Sequence, residues 1–187
     1  MKVDGLPSDL AELISGNYQR VYNVIYRLID DREEAADLTQ DTFVNACRAY
    51  ASFRHESQIY TWLYRIAINL TKNRLERRGR QQALEGVSTD APLDLAEEEE
   101  VFRQIEDSRM EPERAASNNE LRRMLVEAVT RLRPDYKEVV VLRDYQGLTY
   151  EEMAEVLGCS VQAVKSRLFR ARSVLRDRLA RYLDDLG

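Results

Sequence analysis

Thr149, Glu152, Gly158 and Ser160 stand at separations that leave the stretch TYEEMAEVLGCSVQAVKSRLFRAR (149–172) few ways to fold. A threonine followed three residues later by a glutamate forms a capping box that opens a helix. Gly158 can take the left-handed turn that ends it, and Ser160 can cap the next helix. A short helix, a tight turn and a longer helix is the spacing of a helix-turn-helix. On the longer helix Val161, Val164, Leu168, Ala171 and Leu175 recur every three or four residues and form a buried stripe, while Gln162, Lys165, Ser166, Phe169 and Arg170 fall off it. Lysine and arginine can bond phosphates or guanine edges, serine can donate or accept, and an aromatic can meet a thymine methyl. That second face is therefore a candidate surface for duplex DNA. The alternative is a solvated face in a helical bundle.

The rest of the chain also reads as helix. Val21, Val24, Ile25, Leu28 and Ile29 share helical spacing, and Asp31 stands three before Glu34 as an N-cap for a helix carrying Ala35, Leu38, Phe43, Ala46 and Ala49. After the polar, irregular SFRHESQ, a third helix starts near Ile59 or Tyr60 (YTWLYRIAINLTKNRL, 60–75). Its core flank is Leu63, Ile66, Ala67 and Leu70; roughly 120° round lie Trp62, Arg65, Asn69, Lys72, Asn73 and Glu76. That order, aromatic then amide then cation, suits a single strand: a flat ring to stack on a base, amides to read its edge, cations for its phosphates. Tyr60 and Tyr64 are expected to pack on neighbouring helices instead. The loop from Phe53 to Gln58 could close a pocket beside the stripe for a base drawn out of a duplex, and His55 there reads equally well as an ordinary loop histidine.

Residues 81–116 break every sustained stripe with Gly86, Pro92, Pro112 and the run Glu97–Glu100, and read as a linker that admits a short helix around 97–108. A second unit begins near Asn118. Leu121, Leu125, Ala128, Val129 and Leu132 form its first stripe, and Pro134 opens a helix through VVVLRDYQ that Gly147 ends. Seven glycines and four prolines in 187 residues leave little room for a many-turned all-β fold. The expectation is an all-α chain: two small helical units, 1–80 and 118–187, joined by an acidic linker over 81–117. The net charge of −5 conceals two basic patches. Residues 72–80 hold five basic side chains against Glu76, and residues 160–181 hold seven against Asp177; between them, residues 85–113 hold eleven acids.

Several function classes are set aside. No run approaches the ~18 apolar residues of a membrane span, so no membrane insertion is expected, and the N-terminus has no signal-peptide pattern. Cys47 and Cys159 are far apart and His55 is the only histidine. No metal site, cofactor or disulfide framework is expected, and the default compartment is a reducing cytoplasm. A metal-dependent nuclease needs converging carboxylates or histidines, whereas the acids here cluster in the linker.

Three stretches in this order, DLTQDTF (37–43), SFR followed by YTWLYRIAINLTKNRL (52–75), and GLTYEEMAEVLGCSVQAVKSRLFRAR (147–172), resemble the extracytoplasmic-function (ECF) sigma factors, two-domain promoter-specificity subunits of bacterial RNA polymerase. The resemblance covers nearly the whole chain. It implies that residues 1–80 are sigma region 2 and residues 118–187 sigma region 4. It implies that Asp37, Gln40 and Asp41 grip the clamp helices of the polymerase β′ subunit, with Asp41 where the family usually carries glutamate. It implies that Asn69 binds a flipped base of the −10 non-template strand, with Phe53 and Arg54 in the adjoining loop, and that Arg143, Lys165, Ser166, Phe169 and Arg170 read the −35 element. Lys165 stands where related chains often carry arginine, so a bidentate guanine contact becomes a single-point one. The partners implied are RNA polymerase core, promoter DNA in duplex and single-stranded form, and an anti-sigma factor; no catalysis is implied. The end of the chain soon after the helix-turn-helix is read as the lack of a fused sensor domain. The rivals are a stand-alone helix-turn-helix regulator, which leaves residues 21–80 unexplained, and a sigma-mimicking adaptor, against which Asn69 and the recognition-helix cations count.

Overall fold

The computed structural model describes residues 8–50, 53, 57–85 and 122–185, and every regular element among them is helical. The central acidic stretch with its admitted short helix, Leu121, and the loop residues Arg54 and His55 lie outside the described residues. The first unit is three helices: α1 (Ser8–Ile29), α2 (Arg32–Ala49) and α3 (Ile59–Glu85). The second begins with α4 (122–130). Then come α5 (Pro134–Val140), which runs into a π-turn over Val141–Tyr145, α6 (Tyr150–Leu157) and α7 (Val161–Asp185).

Local chemistry accounts for the boundaries. Asp30 ends α1 in the left-handed region (φ 61°), a conformation that aspartate tolerates better than most side chains. Asp31 then caps α2, its carboxylate accepting from the Glu34 amide at 2.9 Å. Thr149 and Glu152 close both halves of the capping box on α6, Gly158 turns left-handed (φ 62°), and the Ser160 hydroxyl accepts from the Ala163 amide at 3.1 Å. The helix-turn-helix of the sequence is therefore present cap by cap. α3 runs five residues past the boundary expected at residue 80, to Glu85.

Each unit has the core its stripes call for. Val21, Val24, Ile25, Leu28, Ile29, Ala35, Leu38, Phe43 and Ala46 are buried with Leu63 and Ala67, and Val164, Leu168, Ala171 and Leu175 are buried in the second unit. Two expectations need correction. Leu125 is exposed, while Val126 is buried beside the expected Ala128 and Val129, so one member of the stripe is replaced by a neighbour about 100° round the helix. The helix after Pro134 is not regular to Gly147: from Val141 the backbone widens, with Leu148 N–H reaching Leu142 C=O at 3.1 Å. Val139 to Leu142 are all buried, so this segment is enclosed on every side, and the π-turn shifts Arg143 and Gln146 out of regular helical phase.

Gly158 and Gly79 separate backbone from packing. A Cβ at either meets nothing within 4 Å, but only Gly158 has positive φ. Gly158→Ala should cost about 1–2 kcal/mol, whereas Gly79→Ala, inside α3, should stabilise by about 0.5–1 kcal/mol. Denaturant unfolding of the two variants checks both signs.

Candidate nucleic-acid interface

α2 shows one exposed polar stripe. Asp37, Gln40 and Asp41 are all exposed, while Leu38, Thr39, Thr42 and Phe43 between them are buried. Val44 continues that stripe one turn on and is 46% exposed. An exposed β-branched residue at the end of a stripe of acids and an amide was not singled out in the sequence, though the spacing 37, 40, 41, 44 would have found it.

α3 has three flanks rather than two. The core flank carries Leu63 and Ala67, fully buried, with Ile66 and Leu70 partly buried. The exposed flank carries Arg65, Asn69, Asn73 and Glu76. Trp62 is at the head of this stripe by sequence, but it is only 7% exposed, lying under Phe53 with ring centroids 4.8 Å apart. Any base that stacks here meets Phe53 first, or displaces it.

The third flank faces the second unit. Tyr60 Oη donates to Glu152 Oε1 in a short hydrogen bond. Tyr64 Oη donates to Gln146 Oε1 at 2.8 Å. Lys72 Nζ lies 3.1 Å from Glu138 Oε2. Ile68, fully buried, falls between Tyr64 and Lys72 on the same side. Beside these, Lys137 Nζ donates to Leu28 C=O at 3.2 Å and the Arg27 guanidinium sits 3.8 Å from the centroid of the Tyr145 ring. Tyr60 and Tyr64 do pack on neighbouring helices, as expected, but on helices of the other unit. Sequence reasoning missed Glu152 and Gln146 as their partners, and Glu138 as the partner of Lys72. The one available signal was a lysine and a glutamate set directly before VVVL, charges that a buried helix must pair.

Part of the basic patch on α3 is structural. Arg74 and Arg78 both reach Glu34 on α2, at 3.5 and 3.7 Å, and Lys72 is held by Glu138. Arg65, Asn69 and Asn73 remain as the outward polar groups of the expected single-strand stripe.

On the second unit Lys165, Phe169 and Arg170 are exposed, Phe169 to 74%, and Ser166 is half-buried between them. An aromatic side chain three-quarters in water on a helix with a complete apolar stripe has no role in the core. Arg143 joins this face from the π-turn, its Nη1 donating to Leu148 C=O. The Tyr150 ring lies between Arg143 and Lys165, 5.0 Å from the guanidinium carbon and 5.4 Å from the ammonium. Arg172 is engaged by Asp144 and does not add to the reading face. The structure thus places Arg143, Lys165, Ser166, Phe169 and Arg170 close together on the second unit, and of the single-strand stripe it leaves Arg65, Asn69 and Asn73 outward, with Trp62 covered and Lys72 turned to Glu138.

Burial raises the Glu138 pKa, and Lys72 only partly opposes it. Glu152 is shifted the other way, held below the usual range chiefly by the Tyr60 hydrogen bond. A carboxyl whose pKa is raised in the joined form binds more protons there than when the units part. Its contribution to joining is therefore present below the ordinary carboxylate value and is lost as pH rises through the raised one. The Glu152 contribution has the opposite sign, present above the ordinary carboxylate value and lost as pH falls through the lowered one, so the two windows do not overlap. Small-angle scattering of the free protein should show the units loosening as pH rises through the Glu138 window, and Glu138→Gln should remove that dependence.

Known proteins share this architecture. Residues 13–81 match the family described as Sigma-70 region 2, and residues 122–175 match Sigma-70, region 4. The chain is 37% identical to the RNA polymerase sigma-H factor of Pseudomonas aeruginosa over 88% of its own length and 83% of that protein. It is 35% identical to the ECF RNA polymerase sigma-E factor of Haemophilus influenzae, over 89% and 85%. Among solved structures, the sigma factor RpoE in complex with the anti-sigma factor NepR from Bartonella quintana has the same fold, with a TM-score of 0.71 at 23% identity, covering 93% of this chain and 98% of that one. CnrH in complex with the cytosolic domain of CnrY gives 0.63 at 24%, covering 94% and 90%.

Proposed function

This chain belongs to the ECF sigma factors of RNA polymerase, and from that premise we propose how its two units divide the work of promoter recognition. Residues 1–80 bind polymerase core and take the melted −10 strand, residues 118–187 read duplex DNA at −35, and the acidic segment 81–117 joins them. Asp37, Gln40 and Asp41 dock on the β′ clamp helices, and Val44 supplies the apolar contact at the end of that stripe. Asn69 holds an unstacked base of the non-template strand, flanked by Arg65 and Asn73, with Phe53, Arg54 and Trp62 forming the aromatic and basic wall of its pocket. Arg143, Lys165, Ser166, Phe169 and Arg170 enter the major groove at −35. The observation that carries this reading is the pair of outward polar stripes on α3 and α7, one suited to a separated strand and one to a duplex, in units joined by a seam that combines the buried Ile68 with hydrogen bonds and an ion pair.

Such a factor works by binding and needs no nucleotide hydrolysis. Unstacking costs a few kcal/mol per base, and capture of the freed strand offsets it. Lys72 must leave Glu138 before it can serve a phosphate, so the −10 site is complete only when the seam has opened. The seam supplies restraint at Lys72 in the free protein. An anti-sigma factor is the proposed partner in the restrained state, since the similar structure of RpoE from Bartonella quintana is a complex with the anti-sigma factor NepR.

Run-off transcription with purified core and a promoter library tests the assignment. Asn69→Ala should impair opening while leaving −35 binding intact. Lys165→Ala or Arg170→Ala should weaken −35 binding by roughly 1–3 kcal/mol per good contact. Normal transcription by the Asn69 variant would remove the flipped-base role, and failure of the wild-type chain to join core would remove the whole reading.

A further inference from the structure

Arg143 and Lys165 reach the −35 face from different elements, one from the π-turn and one from α7, with nothing covalent near to fix their spacing. Two like charges on one face repel. Between them stands the ring of Tyr150, 5.0 Å from one and 5.4 Å from the other. The negative face of an aromatic ring attracts a cation at such distances. Tyr150 is the first residue of α6, directly after the Thr149 N-cap, so the capping box fixes its backbone. Arg143 is further restrained through its bond to Leu148 C=O. The ring thus stands at the start of a capped helix, with both cations within cation–π distance of it.

We propose that Tyr150 is a specificity-determining positioning residue of the −35 reader: its ring sets where Arg143 and Lys165 meet the bases. The inference rests on the reading of this face as the −35 surface. It has particular force for Lys165, because an ammonium on a flexible four-carbon stem carries little directional information of its own. Seated on a fixed ring, it acquires a defined approach. The phenolic hydroxyl is not required by this argument, and the ring is.

That distinction supplies the test. Holoenzyme assembled from core and the full chain is bound to a duplex library randomised across the −35 region, and the affinity ratio of preferred to singly substituted sites is measured at several salt concentrations. Tyr150→Leu should lower that ratio roughly 5- to 30-fold, as expected for loss of two exposed cation–π contacts. Its salt slope should stay unchanged, because the number of phosphates neutralised is the same. Tyr150→Phe should retain the ratio. Adding Tyr150→Leu to Lys165→Ala should cost less than Tyr150→Leu alone, the coupling a shared contact produces. Thermal melts of both variants monitor α6. A Leu variant with wild-type discrimination overturns the proposal, as does a Phe variant as impaired as Leu, which would make the hydroxyl a direct contact. A wild-type holoenzyme with no upstream base preference overturns the −35 reading itself, and with it this one.

Discussion

Burial of α3 on two sides governs the molecule. Leu63 and Ala67 commit one flank to the first unit, and Tyr64 and Ile68 commit a second flank to the other unit. What remains is a single outward strip bearing Arg65, Asn69 and Asn73. A helix so held cannot roll, and the side chains on its free strip are presented in one orientation. That is the condition a site needs if it is to receive a base without reorganising.

The two burials differ in kind. The inner flank is apolar and closes a core that no partner needs to enter. The outer flank mixes the buried Ile68 with two tyrosine hydroxyl bonds and the Lys72–Glu138 pair, in which Glu138 is buried and Lys72 half-exposed. Replacing water around Lys72 and Glu138 costs much of what their attraction returns, and hydroxyl-to-carboxylate or amide bonds contribute only modestly once exchange with water is counted. By helical phase Thr61 and Thr71 share this flank, and among the described residues neither hydroxyl has a hydrogen-bond partner. The tyrosine bonds and the ion pair fix the geometry of the interface and add only modestly to its free energy. It suits two units that travel together and separate when a stronger partner takes hold. The face bearing Arg143, Lys165 and Arg170 is organised inside one unit, by Tyr150, Leu148 and the caps of α6.

Most of the fold was legible because it is local. Caps at Asp31, Thr149 and Ser160, the turn at Gly158, and the apolar periodicity of α1, α2 and α7 each depend on residues within a few positions of one another. The outward faces of α2 and α7 followed by subtraction. What was not legible is long-range. The alternative roles of Tyr60 and Tyr64 depend on Glu152 and Gln146, more than eighty residues away, and nothing in the local pattern pairs them. Trp62 was placed by phase on the outward strip, but Phe53 covers it from a loop whose path the sequence does not specify. The π-turn arose where four consecutive buried residues defeat the notion of a single apolar face. Arg74, Arg78 and Lys72 looked like one basic surface, and their partners Glu34 and Glu138 divide it.

The two units are joined in the free protein, and the proposed function requires that they part on polymerase. Spin labels at native Cys159 and at a cysteine replacing the exposed Gln19, with Cys47 changed to serine, would report their separation by pulsed dipolar spectroscopy. Free protein should give one narrow, short distance, and addition of core polymerase should replace it with a longer one. The same narrow, short distance with core bound would contradict the account.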